Sequence, residues 1–354
     1  MKHTDCRRKQ KLMQMLARRT PDEASRLYHL ADAVRRVNMG DAVHVRGIVE
    51  FSNYCTMRCR YCGLRAPNRH VSRYRMPPEE ILAACHQLAA AGITTVVLQS
   101  GETPSKSDRD FGHLIERIKT ETALAVTVSA GCRPRNVYAY WQDCGMDRYL
   151  LRFETSNDDL FRRLHPNCTL AERLACLRSL RELGVQTGSG FMIGLPGETQ
   201  SILADNILLC RTLDLDMIGI GPFIPHPDTP LGRTKNAYHS DPEMFFRALA
   251  ALRIFNPRSH IPATTAFDAA FPGTGRNLAL QRGANVFMPN CTPALYRGNY
   301  LLYPGKPDVD SDTTVVARDI RQRLQQLGRP LGRGPGHSIK HSPKTSPKKP
   351  ETVI

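Results

Sequence analysis

Three cysteines fall within eight residues of this 354-residue chain, at Cys55, Cys59 and Cys62 in the segment FSNYCTMRCRYCGLRAPN. Thiolates are soft donors that suit iron–sulfur clusters and zinc. A structural zinc site needs four protein ligands, usually as two paired units. No fourth ligand stands nearby: His70 is eight residues beyond Cys62, and Cys85 falls inside an expected helix. Three thiolates on a four-iron cubane leave one iron with an open position, which a small molecule bearing an amine and a carboxylate can chelate. Zinc is the alternative occupant.

The other eight cysteines (Cys6, Cys85, Cys132, Cys144, Cys168, Cys176, Cys210 and Cys291) are scattered along the chain and read as small core or surface residues. An odd total, one tight cluster and an N-terminus (MKHTDCRRKQ) without an apolar signal core point to a reducing, cytoplasmic setting rather than a disulfide framework. No run of about 18 apolar residues is present, so no membrane partner is expected.

The net charge of +16 suggests nucleic acid until it is located. Residues 1–20 carry seven Lys/Arg and one Asp, and residues 331–354 carry five Lys/Arg and one Glu, so +10 of the +16 lies in the two ends. Between them no aromatic residues alternate with basic ones as a base-stacking surface requires, and nucleic acid is not expected as a partner. Solvated ends are one reading; a docking surface for an acidic electron-donor protein is the other.

The cysteine loop needs elements to hold it. From residue 43 to 289 the sequence alternates apolar or β-branched runs with helical patterns. The runs are VHVRGIVE, TTVVLQS, LAVTVS, RYLLRFE, VQTGSGFMI, DMIGIGPF, IPATTAF and ANVFMP. Eight such strands imply a parallel (β/α)8 barrel, of the TIM type and about 250 residues. An open doubly wound sheet would want a GxGxxG after its first strand, which is missing. The expected organisation is an N-terminal helical extension (1–42), the barrel (43–306), a C-terminal helical cap (307–330) and a disordered basic tail (331–354). The extension should hold two helices broken at Pro21, with Thr20 as N-cap and Glu23 completing a capping box. Chemistry in such a barrel belongs at the C-terminal strand ends. The cysteines, Ser100-Gly101-Glu102, Thr127, Ser129, Arg152 and Glu154 all fall there.

The methionine end of S-adenosylmethionine (SAM) carries the amine and carboxylate that an open iron can chelate. CxxxCxxC after a first strand resembles the radical SAM superfamily. The flanking segments EFSNYCTMRCRYCGLRAPN, VVLQSGE, DRYLLRFETSN, LHPNCTLAERLACL, TGSGFMIGLPGET, DMIGIGPFIPHPDTPL and GANVFMPNCTPALYRGNYLLYPGK resemble, more narrowly, the HydE family of FeFe-hydrogenase maturation enzymes. The likeness spans residues 46–306. It implies a 4Fe-4S cluster on Cys55, Cys59 and Cys62, with Tyr61 at the motif's aromatic position. Ser100, Gly101 and Glu102 resemble the loop that receives the SAM amine. Arg173 resembles the arginine that pairs with the SAM carboxylate, and Glu154 the acid that binds the ribose. Ser129, Met192 and Gly194 complete the implied SAM site. Arg46, Gln99, Thr127, Arg152, Thr264, Thr265, Tyr300 and Tyr303 are implied to line a substrate pocket, where buried arginines favour an anionic ligand. Each also has a plainer reading: Glu154 and Arg173 as a helix-surface pair, the glycines as turns, the threonines as barrel packing.

By that resemblance the adenosyl radical acts on the sulfur of a small, cysteine-bound iron carbonyl/cyanide complex. The implied partners are other hydrogenase maturases and a low-potential donor of the flavodoxin or ferredoxin type. Some family members bind a second cluster just past the YPGK segment. Here PGKPDVDSDTTVVARDI has no cysteine, so a single cluster is expected. The competing readings are a methylornithine synthase- or biotin synthase-like enzyme, and a non-catalytic basic RNA- or membrane-surface-binding protein.

Overall fold

The computed structural model describes residues 2–103, 108–306 and 313–341. Among the described residues nine strands run in chain order: β1 (His44–Val45), β2 (Gly47–Ser52), β3 (Thr95–Ser100), β4 (Ala125–Ser129), β5 (Met146–Leu150), β6 (Gln186–Ile193), β7 (Met217–Pro222), β8 (Pro262–Ala263) and β9 (Val286–Phe287). Strands β2 to β7 form one curled sheet in sequence order, every neighbour parallel. The short strands β1, β9 and β8 form a second parallel sheet. It joins the first through bridges Ile48–Asn290 and Met217–His260, which curl the layer toward closure. All eight expected runs contribute strands. The first is split at Arg46, whose backbone N–H donates to Phe287 O at 3.0 Å and so belongs to the closing seam.

Strands covered on both faces should be continuously apolar rather than alternating. Val96, Val97 and Leu98 of β3 satisfy this, all fully buried. The covering helices begin where the sequence provides starts: α3 (Pro78–Ala90) after Pro77, and α7 (Leu170–Glu182) on a Thr169/Glu172 capping box. At the N-terminus α1 (Lys2–Leu16) and α2 (Pro21–Met39) pack against α8 (Gln200–Thr212) and α9 (Met244–Phe255). Thr20 and Glu23 cap α2 reciprocally. Residues 313–326 form a helix that lies against α3.

The basic tail departs from expectation. Residues 331–341 are not free but lie across the N-terminal ends of the strands, while 342–354 fall outside the described residues. Leu331 bridges to Val43, Thr94 and Thr95 donate to Gly334 O and Pro335 O, and Ser338 is buried. Their carbonyls also accept from two buried arginines, Gly336 O from Arg46 at 3.0 Å and Pro335 O from Arg148 at 2.8 Å. A segment with little apolar content packs here because it supplies acceptors to cations that burial would otherwise leave bare.

Candidate active site

A cavity of about 320 Å³ opens over the C-terminal strand ends and runs down into the barrel. Cys55, Cys59 and Cys62 stand on its rim in the loop after β2. Several bonds fix that loop. Arg73 donates to the carbonyls of Asn53, Leu64, Arg65 and Asn68, and Asn53 Nδ2 reaches Ser72 O and Asn299 O. Gly101 is needed beside it, because a Cβ there would lie 2.3 Å from Tyr54 O.

The three thiols are half-buried and close enough that their charges raise the pKa of Cys59 and Cys62. Burial pushes Cys62 up to about 12, with Cys55 adding to the rise, and it lifts Cys59 well above the usual thiol range, with Cys62 and Cys55 adding to that. They would release their protons to a bound metal rather than to water. The amides of Met57 and Glu102 donate to Cys55, and that of Leu64 to Cys62, as surroundings that stabilise metal-bound thiolates do. Among the described residues no three Cys, His, Asp or Glu groups converge on one ion position. A cubane places each cysteine on a different iron, so its thiolates need not meet at a point. The donor set therefore suits a cluster better than a lone zinc.

His165 carries no local motif and is a site residue only in the folded structure. Its Nδ1 lies 3.3 Å from Cys59 Sγ and its Nε2 lies 3.4 Å from the Tyr61 hydroxyl, with the ring stacked on Phe161. Burial holds it down at about 3, so the ring is neutral. It sits 106 residues from Cys59, and no local pattern announces that meeting.

Glu102, Ser100, Gly101, Ser129, Glu154, Arg173, Met192 and Tyr61 share the cavity wall. Glu154 adopts a left-handed φ of 63°, rare outside glycine and associated with strain at functional sites. Hydrogen bonds to β6 hold it there: its N–H donates to Gly190 O, and its carbonyl accepts from Met192. Its Oε2 is buried without a hydrogen-bond partner, although Arg152 Nη2 is 3.2 Å away. Desolvation raises its pKa. Arg173 Nη2 is 3.5 Å from Glu102 Oε2, and its buried Nε is unpartnered. These bare groups fit a ligand carrying a carboxylate, an amine and hydroxyls, as the methionyl and ribosyl parts of SAM do.

Deeper in, Gln99, Arg152, Thr264, Thr265, Tyr300 and Tyr303 line the cavity. Thr265 Oγ1 and Tyr303 Oη are 2.5 Å apart, and Thr264 donates to Ile220 O. Three of the expected residues do not reach it. Arg46, at the strand break, lies beneath the floor with Nη1 2.9 Å from Met217 Sδ. Thr127 is wholly buried and its Oγ1 has no partner. Gly194 turns away at φ 88°, and its N–H donates to Glu198 at 2.6 Å.

The parallel barrel, the cysteine loop at its mouth and this cavity define a radical SAM enzyme. Residues 49–210 match the Radical SAM superfamily. Among curated proteins the chain is 47% identical over 303 residues to the [FeFe] hydrogenase maturase subunit HydE of Thermotoga maritima, covering 86% of each chain. It is 27% identical to 3-methylornithine synthase of Methanosarcina acetivorans, over 89% of this chain and 87% of that one. Within the superfamily, the chain belongs to the HydE family. Two solved structures share its fold. Methylornithine synthase superposes with a TM-score of 0.79 at 24% identity, covering 92% of this chain and 94% of that one. The maturase HydG from Carboxydothermus hydrogenoformans gives 0.75 at 20% identity, covering 92% and 78%.

Proposed function

We propose that this chain performs a SAM-dependent radical step in FeFe-hydrogenase maturation, acting on the sulfur of a cysteine-bound iron carbonyl/cyanide precursor inside the barrel. The observation that carries this reading is the 47% identity to the Thermotoga maritima maturase across 86% of both chains, against 27% to 3-methylornithine synthase. Cys55, Cys59 and Cys62 would hold a 4Fe-4S cluster. When bound, it supplies the electron that splits SAM to a deoxyadenosyl radical. No cysteine follows Cys291, which supports one cluster per chain.

The chain's own residues bind and orient. Glu102 and the Ser100-Gly101 backbone take the SAM amine, because an ammonium needs acceptors. Arg173 takes its carboxylate, for which a guanidinium offers paired N–H donors. Glu154 takes the ribose hydroxyls, a carboxylate accepting two such bonds well. Arg152, whose Nε is buried without a partner, favours an anionic substrate in the hydroxyl-lined floor of Thr264, Thr265 and Tyr303. Among the described residues no helix is long and apolar enough to cross a membrane. Cytoplasmic action beside other maturases, with a flavodoxin- or ferredoxin-type donor, completes the proposal.

The test is anaerobic activation of hydrogenase apoprotein with the remaining maturation proteins, with and without this chain. Activation that depends on the chain, and is lost in Cys59→Ala, is the expected result. Rearrangement of free lysine with no hydrogenase activation would overturn the reading.

A further inference from the structure

The chain leaving α6 (Asp158–Leu164) grips the cysteine loop at three successive residues. Leu164 O accepts from the Arg60 amide at 2.9 Å, and Asn167 Oδ1 accepts from the Arg58 amide at 3.2 Å. Between them the His165 ring faces Cys59, with Nδ1 3.3 Å from Sγ. The grip is centred on that one cysteine.

The ring has little freedom to turn away. The helix stops at His165, whose own N–H donates to Phe161 O at 2.8 Å, and Pro166 keeps it from continuing. His165 is buried, stacked on Phe161 with ring centroids 4.3 Å apart and edge-on to Tyr61 at 5.4 Å. A neutral imidazole divides one N–H and one lone pair between its two nitrogens. A metal-bound thiolate has no proton to give, so the contact with Cys59 is a hydrogen bond only when the hydrogen sits on Nδ1. Nε2 is then the acceptor, and the Tyr61 hydroxyl 3.4 Å away donates to it. The run from Tyr61 O–H through the ring to Cys59 Sγ gives each of these groups a partner and fixes the tautomer.

We propose that His165 donates its Nδ1–H to the Cys59 thiolate and thereby raises the reduction potential of the cluster held by Cys55, Cys59 and Cys62. Reduction adds one negative charge, spread over iron and sulfur. A donor aimed at one of those sulfurs stabilises the added charge, so the reduced form gains more than the oxidised form. One electron enters from a low-potential donor and the proton stays on Nδ1, so no bond is made or broken. His165 is a positioning residue that acts through Cys59. Its role rests on the cluster assigned to these cysteines and is independent of the substrate.

The test is a mediated redox titration of anaerobically reconstituted holoprotein without SAM. Electron paramagnetic resonance reads the reduced cluster, and an iron assay runs in parallel. His165→Phe keeps a ring to stack on Phe161 and removes the donor. At a fixed potential its reduced-to-oxidised ratio should fall about 2- to 10-fold, the worth of one hydrogen bond, a downward shift of about 20–60 mV for a one-electron couple. His165→Asn, whose amide nitrogen can stand where Nδ1 stood, should recover most of that shift at equal iron content. A residue that only packs would give the opposite order, because phenylalanine preserves the stack and asparagine does not. An unmoved midpoint in His165→Phe, or equal shifts in both variants, would overturn the proposal. Should His165→Phe hold no cluster, wild-type protein carrying isotopically labelled histidine decides. A histidine nitrogen coupled to the reduced cluster in pulsed spectra is then expected, and its absence would overturn the proposal. A wild type that takes up no four-iron cluster fails the cluster reading itself; once it holds four irons, only the role of His165 is at stake.

Discussion

Replacing Arg173 by methionine keeps most of the side-chain volume and removes the guanidinium. That group is 8% exposed, lies 3.5 Å from Glu102 Oε2 and leaves its buried Nε unpaired. A hydrogen bond to a charged partner contributes about 1.5–3 kcal/mol. Loss of the arginine–carboxylate pairing should therefore weaken SAM binding by about 10- to 150-fold. Anaerobic equilibrium dialysis of the holoprotein measures this directly. The sharper comparison uses decarboxylated SAM, which lacks the group Arg173 is assigned to hold. The wild type should bind that analogue weakly, and Arg173→Met should cost it little more. An equal loss for both ligands would refute the assignment and leave Arg173 as a structural residue.

Lys306 pairs with Glu50 inside the fold, both side chains under 10% exposed. Lys306→Met strands a buried carboxylate and should lower stability by about 3–5 kcal/mol, read as a fall in the urea midpoint, with Glu50→Gln restoring part of the loss in the double variant. A chain ending at residue 330 removes the acceptors of Arg46 and Arg148. Its urea midpoint should fall by at least as much as one buried unsatisfied charge costs, and an unchanged midpoint would show that the tail is not part of the fold. Burial, together with Arg46 and Arg148, holds His44 down at about 4, whereas an unfolded histidine titrates near 6.5. The unfolded chain therefore takes up a proton first as pH falls. Stability should drop between about pH 6.5 and about pH 4, by up to about 1.4 kcal/mol per unit, and His44→Asn should flatten that slope.

What the sequence revealed depended on how far the deciding signal reached. Strand runs, capping boxes and CxxxCxxC are patterns within ten or so residues, and each corresponds to a feature of the fold. The split of the first strand at Arg46 has no local mark, because hydrogen bonds to β9 set it. His165 meets Cys59 and Tyr61 only once the sheet has curled. Composition misled at the tail. A Gly-, Pro- and Lys-rich segment cannot build a core, yet 331–341 is held by carbonyls that satisfy buried cations, by Lys340 donating to Leu215 O and by His341 against Asp216. Such binding leaves no hydrophobic signature.

The central claim is that Cys55, Cys59 and Cys62 hold a 4Fe-4S cluster whose open iron takes SAM. Electron paramagnetic resonance of the reduced, anaerobically reconstituted protein, recorded with and without SAM beside an iron assay, tests it most directly. The account predicts about four irons per chain, a reduced-cluster signal that SAM shifts, and loss of both in Cys59→Ala. Zinc in place of iron, or a cluster signal indifferent to SAM, would contradict it.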